Sequence, residues 1–216
     1  MLAAVLYALF FKTFVLQAYR IPSASMEDNL LVGDHILVNK FVYGPHAGPW
    51  GRLLPHRDVT RGDVVVFRDP LNPSRDLIKR AVAVGGDSVE MVRKKLFLNG
   101  TPVTESYVVH RDPEVRPDGS AVPPAVARRD NAPPERIPPA TFFALGDNRD
   151  DSQDSRFWGP APVTLVRGRA VLVYWSYDAA PAGVFSGRGA ALRRLIDTGL
   201  HFFTRTRWDR TFRAVR

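Results

Sequence analysis

Cysteine is absent from this chain of 216 residues. Disulfides, thiolate nucleophiles and cysteine-ligated zinc are therefore excluded, although many exported proteins also lack cysteine and the compartment stays open. No metal or cofactor is expected. Helical periodicity is scarce beyond the N-terminus and residues 190–201, and there is no internal repeat. Acidic residues are the minority: 30 Lys and Arg face 22 Asp and Glu, a net charge of +8. Such a balance points to nucleic acid or to anionic lipid. No helix-turn-helix, zinc-finger or RNA-binding motif is present, so nucleic acid is not the expected partner.

What is present begins with an apolar N-terminus. Residues 2–11 are continuously apolar, Lys12 interrupts them, and 13–19 resume the pattern. As a helix, residues 2–19 would span about 27 Å at about 1.5 Å per residue, close to a bilayer core of about 30 Å. No basic segment precedes the run and no small-x-small site follows it, which argues against a cleaved signal peptide. A buried core helix is the alternative. Residues 1–20 are expected to form a membrane anchor, with Lys12 snorkelling or facing a partner. The missing basic start points to a trimmed N-terminus or to a longer anchor ahead of Met1.

After Arg20 the apolar runs shorten and alternate. Strands are expected at 35–43, 63–68, 77–84, 88–92, 95–98, 141–145 and 169–177. Asn99-Gly100 is a turn dipeptide, so 95–98 and 102–104 should make a hairpin. The fold class is mostly β, with irregular antiparallel sheets around a catalytic groove, an N-terminal anchor helix and a Pro-rich insert. The expected domains are the anchor (1–20), a β-rich catalytic domain (21–192) and a basic, aromatic C-terminal segment (193–216). The insert covers about 108–140. Its stretch 113–139 is poor in apolar residues and reads as a surface excursion or partly disordered piece. Residues 44–55 read as a loop carrying Trp50. The C-terminal segment interleaves arginines with Phe202, Phe203, Trp208 and Phe212, as either a solvated basic end or a segment touching lipid headgroups.

Three blocks carry chemistry. Ser25 lies in Ile21-Pro22-Ser23-Ala24-Ser25-Met26, just after the apolar run. Lys79 lies among Leu77, Ile78, Ala81, Val82, Ala83 and Val84. On an apolar strand face a lysine loses hydration and its pKa falls, which is what a base needs. Of Lys79 and Arg80, one should face inward, and a guanidinium cannot be deprotonated near neutral pH, so Lys79 is the candidate. The alternative is an edge-strand lysine in water. The loop 146–156 is dense in Asp, Asn and Arg. It is either a self-bonded turn or a scaffold whose Ser152 orients the lysine while Asp154 and Arg156 hold the loop.

Taken in order, these blocks resemble those of the bacterial type I signal peptidase family. Ile-Pro-Ser-Ala-Ser-Met is similar to its nucleophile box, and Gly33-Asp34-His35-Ile36-Leu37-Val38-Asn39-Lys40-Phe41 to its second box. Arg61-Gly62-Asp63 with Ile78-Lys79-Arg80-Ala81-Val82 is similar to its lysine box. Gly146-Asp147-Asn148-Arg149-Asp150, through Asp154-Ser155-Arg156-Phe157-Trp158-Gly159, is similar to its last. The resemblance implies Ser25 as nucleophile and Lys79 as general base. It implies an oxyanion hole from the Ser23 hydroxyl and the Ser25 N–H, Ser152 bonding the lysine, and Asp154 and Arg156 as loop support. Ile21 and Ile78 would line shallow pockets for small side chains. The implied activity is removal of signal peptides from exported preproteins after small residues, at the outer face of the cytoplasmic membrane and beside its phospholipid. Two departures touch groove shape: Glu27-Asp28-Asn29 follows Met26 where the family often places a proline, and Leu77 stands where it often places an aromatic.

Three other readings compete. A self-cleaving Ser–Lys peptidase of the SOS-repressor kind predicts a DNA-binding domain and an internal cleavage site, and the sequence offers neither. A catalytically inactive membrane-tethered binding protein would not need Ser25, Lys79 and Ser152 together. A basic nucleic-acid binder predicts steeply salt-dependent affinity.

Overall fold

The computed structural model describes residues 16–43, 57–117, 123–178 and 189–216. Its strands form two antiparallel sheets. The larger runs β1 (Leu16–Arg20), β2 (Asp34–Asn39), β11 (Val166–Ser176), β3 (Val64–Arg68), β4 (Asp76–Val84), β9 (Thr141–Leu145) and β10 (Ala161–Pro162), with β12 (Arg213–Ala214) against β11. The smaller runs β7 (Thr101–Pro102), β6 (Lys95–Leu98), β5 (Ser88–Val92) and β8 (Ala132–Arg136). Four helices are described: α1 (Pro124–Ala127), α2 (Ser155–Trp158), α3 (Ala190–Leu200) and α4 (Phe202–Arg205).

Residue pattern explains the layers. In β2 the inward positions alternate, as expected for a strand with one covered face. In β3 Val64, Val65, Val66 and Phe67 are all buried. Val64 and Val66 join a cluster with Ile21, Met26, Leu30, Ile36 and Val38. Val65 and Phe67 join one with Ala81, Phe142, Ala144 and Ala161. A third cluster, holding Val82, Val89, Met91, Leu96, Ile137 and Phe143, welds the smaller sheet onto β4 and β9. Asn99 and Gly100 both take positive φ, 52° and 78°, which is the hairpin turn their sequence specifies.

The structure departs from the sequence reading at both ends and in the insert. Residues 16–19 are not helix: β1 pairs along its whole length with β2, from Leu16 opposite Asn39 to Arg20 opposite His35. A short apolar run fits strand and helix alike, and the free edge of β2 decides it. Residues 1–15 and the loop carrying Trp50 lie outside the described residues, so the anchor and that loop are not part of this description. Among the described residues no helix is long and apolar enough to cross a membrane.

In the insert, residues 118–122 are not described, but their flanks are built into the body. β8 pairs with β5, and Arg129 and Asp130 are buried. Polar contacts do the work that apolar residues do elsewhere. Arg129 pairs with Asp130 and Asp112 at 2.7 Å each. The Arg116 N–H donates to Asp130 at 2.7 Å and the Asp112 N–H to Asp150 at 2.8 Å.

Candidate active site

Ser25 sits in a 3-10 turn, Ala24–Met26, between β1 and β2. The turn is fixed from both sides. Met26 and Leu30 are buried in the core, and the Ile21 N–H donates to the Asp34 carbonyl at 2.8 Å while the Gly33 N–H donates to Ile21 at 3.1 Å. Gly33 takes φ +92°, and a side chain there would stand 2.2 Å from the Tyr177 carbonyl oxygen, so only glycine fits.

Lys79 enters from β4, three places along the sheet from β2. Its Nζ lies 2.6 Å from Ser25 Oγ, although 54 residues separate the two. Ser25 is 6% exposed and Lys79 4%. Burial drives the lysine pKa from 10.5 to about 8. The Asp154 and Asp147 carboxylates oppose that fall, and the Arg156 guanidinium assists it. The amine is thus neutral in a sizeable fraction of molecules near physiological pH, with its lone pair beside a hydroxyl.

The loop 146–156 braces this pair. The Asn148 N–H donates to the Ser25 carbonyl at 3.2 Å, and its side-chain amide to the Ala24 carbonyl at 3.4 Å. Gly146 passes so close that a Cβ would stand 2.2 Å from Ser152 Oγ and 2.5 Å from the Ser25 carbonyl oxygen. Asp154 and Arg156, both wholly buried, meet in a two-pronged pair at 2.8 Å. Burial alone would raise the Asp154 pKa, but the charge and hydrogen bonds of Arg156 hold it below the ordinary carboxylate range. Asp154 also accepts from the Gly146 N–H at 3.1 Å and caps α2 through the Arg156 N–H at 3.3 Å. Arg156 donates further to the carbonyls of Arg129 and Arg149, at 2.5 and 2.7 Å.

Each sequence-predicted residue can now be placed. Ser23 Oγ lies 3.5 Å from Ser25 Oγ. Ser23 stands at the N-cap of the turn, yet its hydroxyl caps nothing. Ser152 Oγ is buried, and its contact with the Asp154 carboxylate falls short of a hydrogen bond; no hydrogen bond joins it to Lys79 among the described residues. Ile21 is buried in the core cluster that holds Met26, and Ile78 is partly buried against that cluster.

The expectation that one of Lys79 and Arg80 faces water is corrected: both are buried. Arg80 is accommodated because Asp147 takes two of its nitrogens, at 2.8 and 2.7 Å, and the carbonyls of Gly62 and Arg216 accept from it at 2.9 and 2.8 Å. The Tyr107 ring lies 3.8 Å from the guanidinium carbon. The roles of Arg80, Gly146, Asn148 and Tyr107 were missed by sequence reasoning. Arg80 could have been found by its position beside Lys79 within an apolar run.

Gly146→Ala is a direct test of the brace. The added methyl must push Ser152 or the Ser25 backbone aside, and displacing a reacting group by about 1 Å costs about 10²-fold in rate. Peptide turnover should fall by that order while circular dichroism stays unchanged.

The chain is similar to known proteins of one kind. The family described as "Signal peptidase, peptidase S26" matches residues 1–175. A signal peptidase I of Aquifex aeolicus (strain VF5) is 35% identical, over 80% of this chain and 80% of its own. Another, from Pseudomonas aeruginosa, is 34% identical over 77% of this chain and 67% of its own. A solved signal peptidase I from Enterococcus faecalis V583 aligns with a TM-score of 0.40 and 26% identity, over 52% of this chain and 97% of that one. Because the family match takes in the Ser25 turn, the Lys79 strand and the 146–156 loop together, the chain belongs to the signal peptidase family, peptidase S26.

Proposed function

We propose that Ser25 and Lys79 are the nucleophile and general base with which this chain cuts signal peptides from exported preproteins. The observation that carries the reading is the 2.6 Å approach of Lys79 Nζ to Ser25 Oγ, both buried.

Neutral Lys79 takes the Ser25 proton as Oγ bonds to the scissile carbonyl carbon. The oxyanion formed is met by the Ser25 N–H and the Ser23 hydroxyl, which is free of capping duty. As the intermediate collapses, the C–N bond breaks and the Lys79 ammonium returns its proton to the leaving amine. Lysine, neutral again, then deprotonates a water that attacks the acyl-serine. The C–Oγ bond breaks and Ser25 recovers its proton. No histidine takes part, consistent with the Ser–Lys variant of the triad. Asp154 and Arg156 hold the loop that carries Ser152 behind the pair, and Ile21 and Ile78 underlie the pockets for small substrate side chains.

The substrate is itself membrane-embedded. A tether in the apolar run ahead of β1 would confine enzyme and preprotein to one surface and raise their effective concentration. In this reading the catalytic domain works at the outer face of the cytoplasmic membrane, beside phospholipid.

The base acts only when unprotonated, so kcat/KM should rise about tenfold per pH unit below a midpoint and level off above it. That midpoint is expected at about 8. Initial rates on a model preprotein from pH 6 to 10, with mass spectrometry of the cut position, check both base and specificity. A flat profile, or a cut after bulky residues, overturns the reading.

A further inference from the structure

Leu192, Leu195, Ile196 and Leu200 recur at helical spacing along α3, so they form one stripe. In a helix packed on its own protein such a stripe faces the core. Here it faces outward: Leu195 is 70% exposed, Leu200 77%, and Phe203 of α4 extends the stripe at 78%. The polar side faces the body instead. Asp197 meets the Tyr177 hydroxyl at 3.4 Å and the Arg205 guanidinium at 3.1 Å. Trp208 and Phe212, also exposed, continue the apolar surface.

Cations flank it along the chain: exposed Arg193 follows Leu192, and exposed Arg213 follows Phe212. The segment is also fastened to the chain that follows the nucleophile turn. Arg207 donates to the Val32 carbonyl at 2.7 Å, and Arg210 to the Asn29 carbonyl at 2.9 Å and to Asp34 at 2.7 Å. Val32 is exposed there and enlarges the patch. The family match ends at residue 175, so α3, α4 and the residues after them lie outside it.

We infer that this C-terminal face is a lipid-contact surface that lies on an anionic bilayer and holds the Ser25 end of the molecule against it. An apolar face with a cationic rim complements acidic headgroups above an acyl layer. The same rim disfavours a second copy of this chain, because like charges would meet.

The absence of cysteine permits a clean test. In full-length Ile196→Cys, an environment-sensitive fluorophore on the single thiol reports on α3 alone, whatever the N-terminal run does. On vesicles of equal phosphatidylcholine and phosphatidylglycerol, its emission should shift blue and resist an aqueous quencher. On phosphatidylcholine alone it should stay accessible. Adding Arg193→Gln and Arg213→Gln should lower the ratio of protected to accessible probe about fivefold per charge. Leu195→Glu with Leu200→Glu should abolish protection yet leave turnover of a soluble peptide unchanged. A probe accessible on both vesicles, or protected equally on both, overturns the inference. So does protection that appears without vesicles and grows with protein concentration, which would identify a second copy as the occupant. The fluorescence readout needs no catalysis and is independent of the Ser25–Lys79 assignment.

Discussion

Lys79→Met should abolish cleavage and, at neutral pH, make the protein more stable. The loss of activity follows from removing the only amine beside Ser25 Oγ among the described residues. Deleting one member of a nucleophile–base unit costs about 10⁴-fold or more. Ser25→Ala should cost as much, and a serine-reactive acylating probe should label the wild type at Ser25 and neither variant. The gain in stability follows from the same burial. A fall in pKa from 10.5 to about 8 means that folding below pH 8 forces a charged amine out of water. At roughly 1.4 kcal/mol per unit that penalty is about 3 kcal/mol. Methionine removes it, and the lost contact to Ser25 returns about 1 kcal/mol of the gain, which leaves a net stabilisation on the order of 2 kcal/mol. The sign is testable. The folded pKa is depressed, so the wild type gains stability relative to the variant as pH rises from 8 to 10.5, and the gap should close over that window. Urea titrations of both proteins at pH 7 and 10 measure it. Full processing by either variant would refute the dyad.

Asp154→Ala should act in the opposite sense on stability. It strands the Arg156 guanidinium in a site with no solvent access. Breaking a buried pair this way costs about 3–5 kcal/mol, a drop of about 10 °C in Tm for a chain of this size. It also removes the cap of α2 and the acceptor for the Gly146 N–H. Replacing both partners with apolar residues, Asp154→Leu with Arg156→Met, should cost less than the single change, because no charge is left unpaired. A second effect separates structure from chemistry. The Asp154 carboxylate is the foremost charge holding the Lys79 pKa up. The folded fraction of Asp154→Ala should therefore show its activity midpoint below pH 8. An unchanged midpoint with full thermal stability would remove Asp154 from the site.

Much of this arrangement was legible in the residues, for identifiable reasons. Strands β5, β6 and β9 were readable to the residue because alternation and turn dipeptides act locally. Lys79 was readable as a candidate base because a lysine inside an apolar run announces its own desolvation, whereas its pairing with Ser25 rested on the resemblance of the four boxes. What escaped was set by distant partners. β1 looked like the end of a helix because its pairing edge lies 15 to 23 residues away. β8, with Pro133 and Pro134 in its sequence, looked like a loop, yet β5 supplies its register. Arg80 looked like the outward neighbour of Lys79, since nothing nearby in sequence shows the Asp147 carboxylate 67 residues on. Gly146 and Asn148 could be placed in a loop, but their approach to the Ser25 carbonyl is a tertiary fact.

The place of β11 has a consequence for biosynthesis. The turn bearing the hydroxyl belongs to the β1–β2 hairpin, and the amine belongs to β3–β4. Among the described strands, only β11 lies between those two halves, with β2 on one side and β3 on the other. A nascent polypeptide that has made Ser25 and Lys79 but not yet residues 166–176 lacks the strand that seats the two hairpins side by side. The Ser25–Lys79 pair is thus held in register only once residues 166–176 have been made.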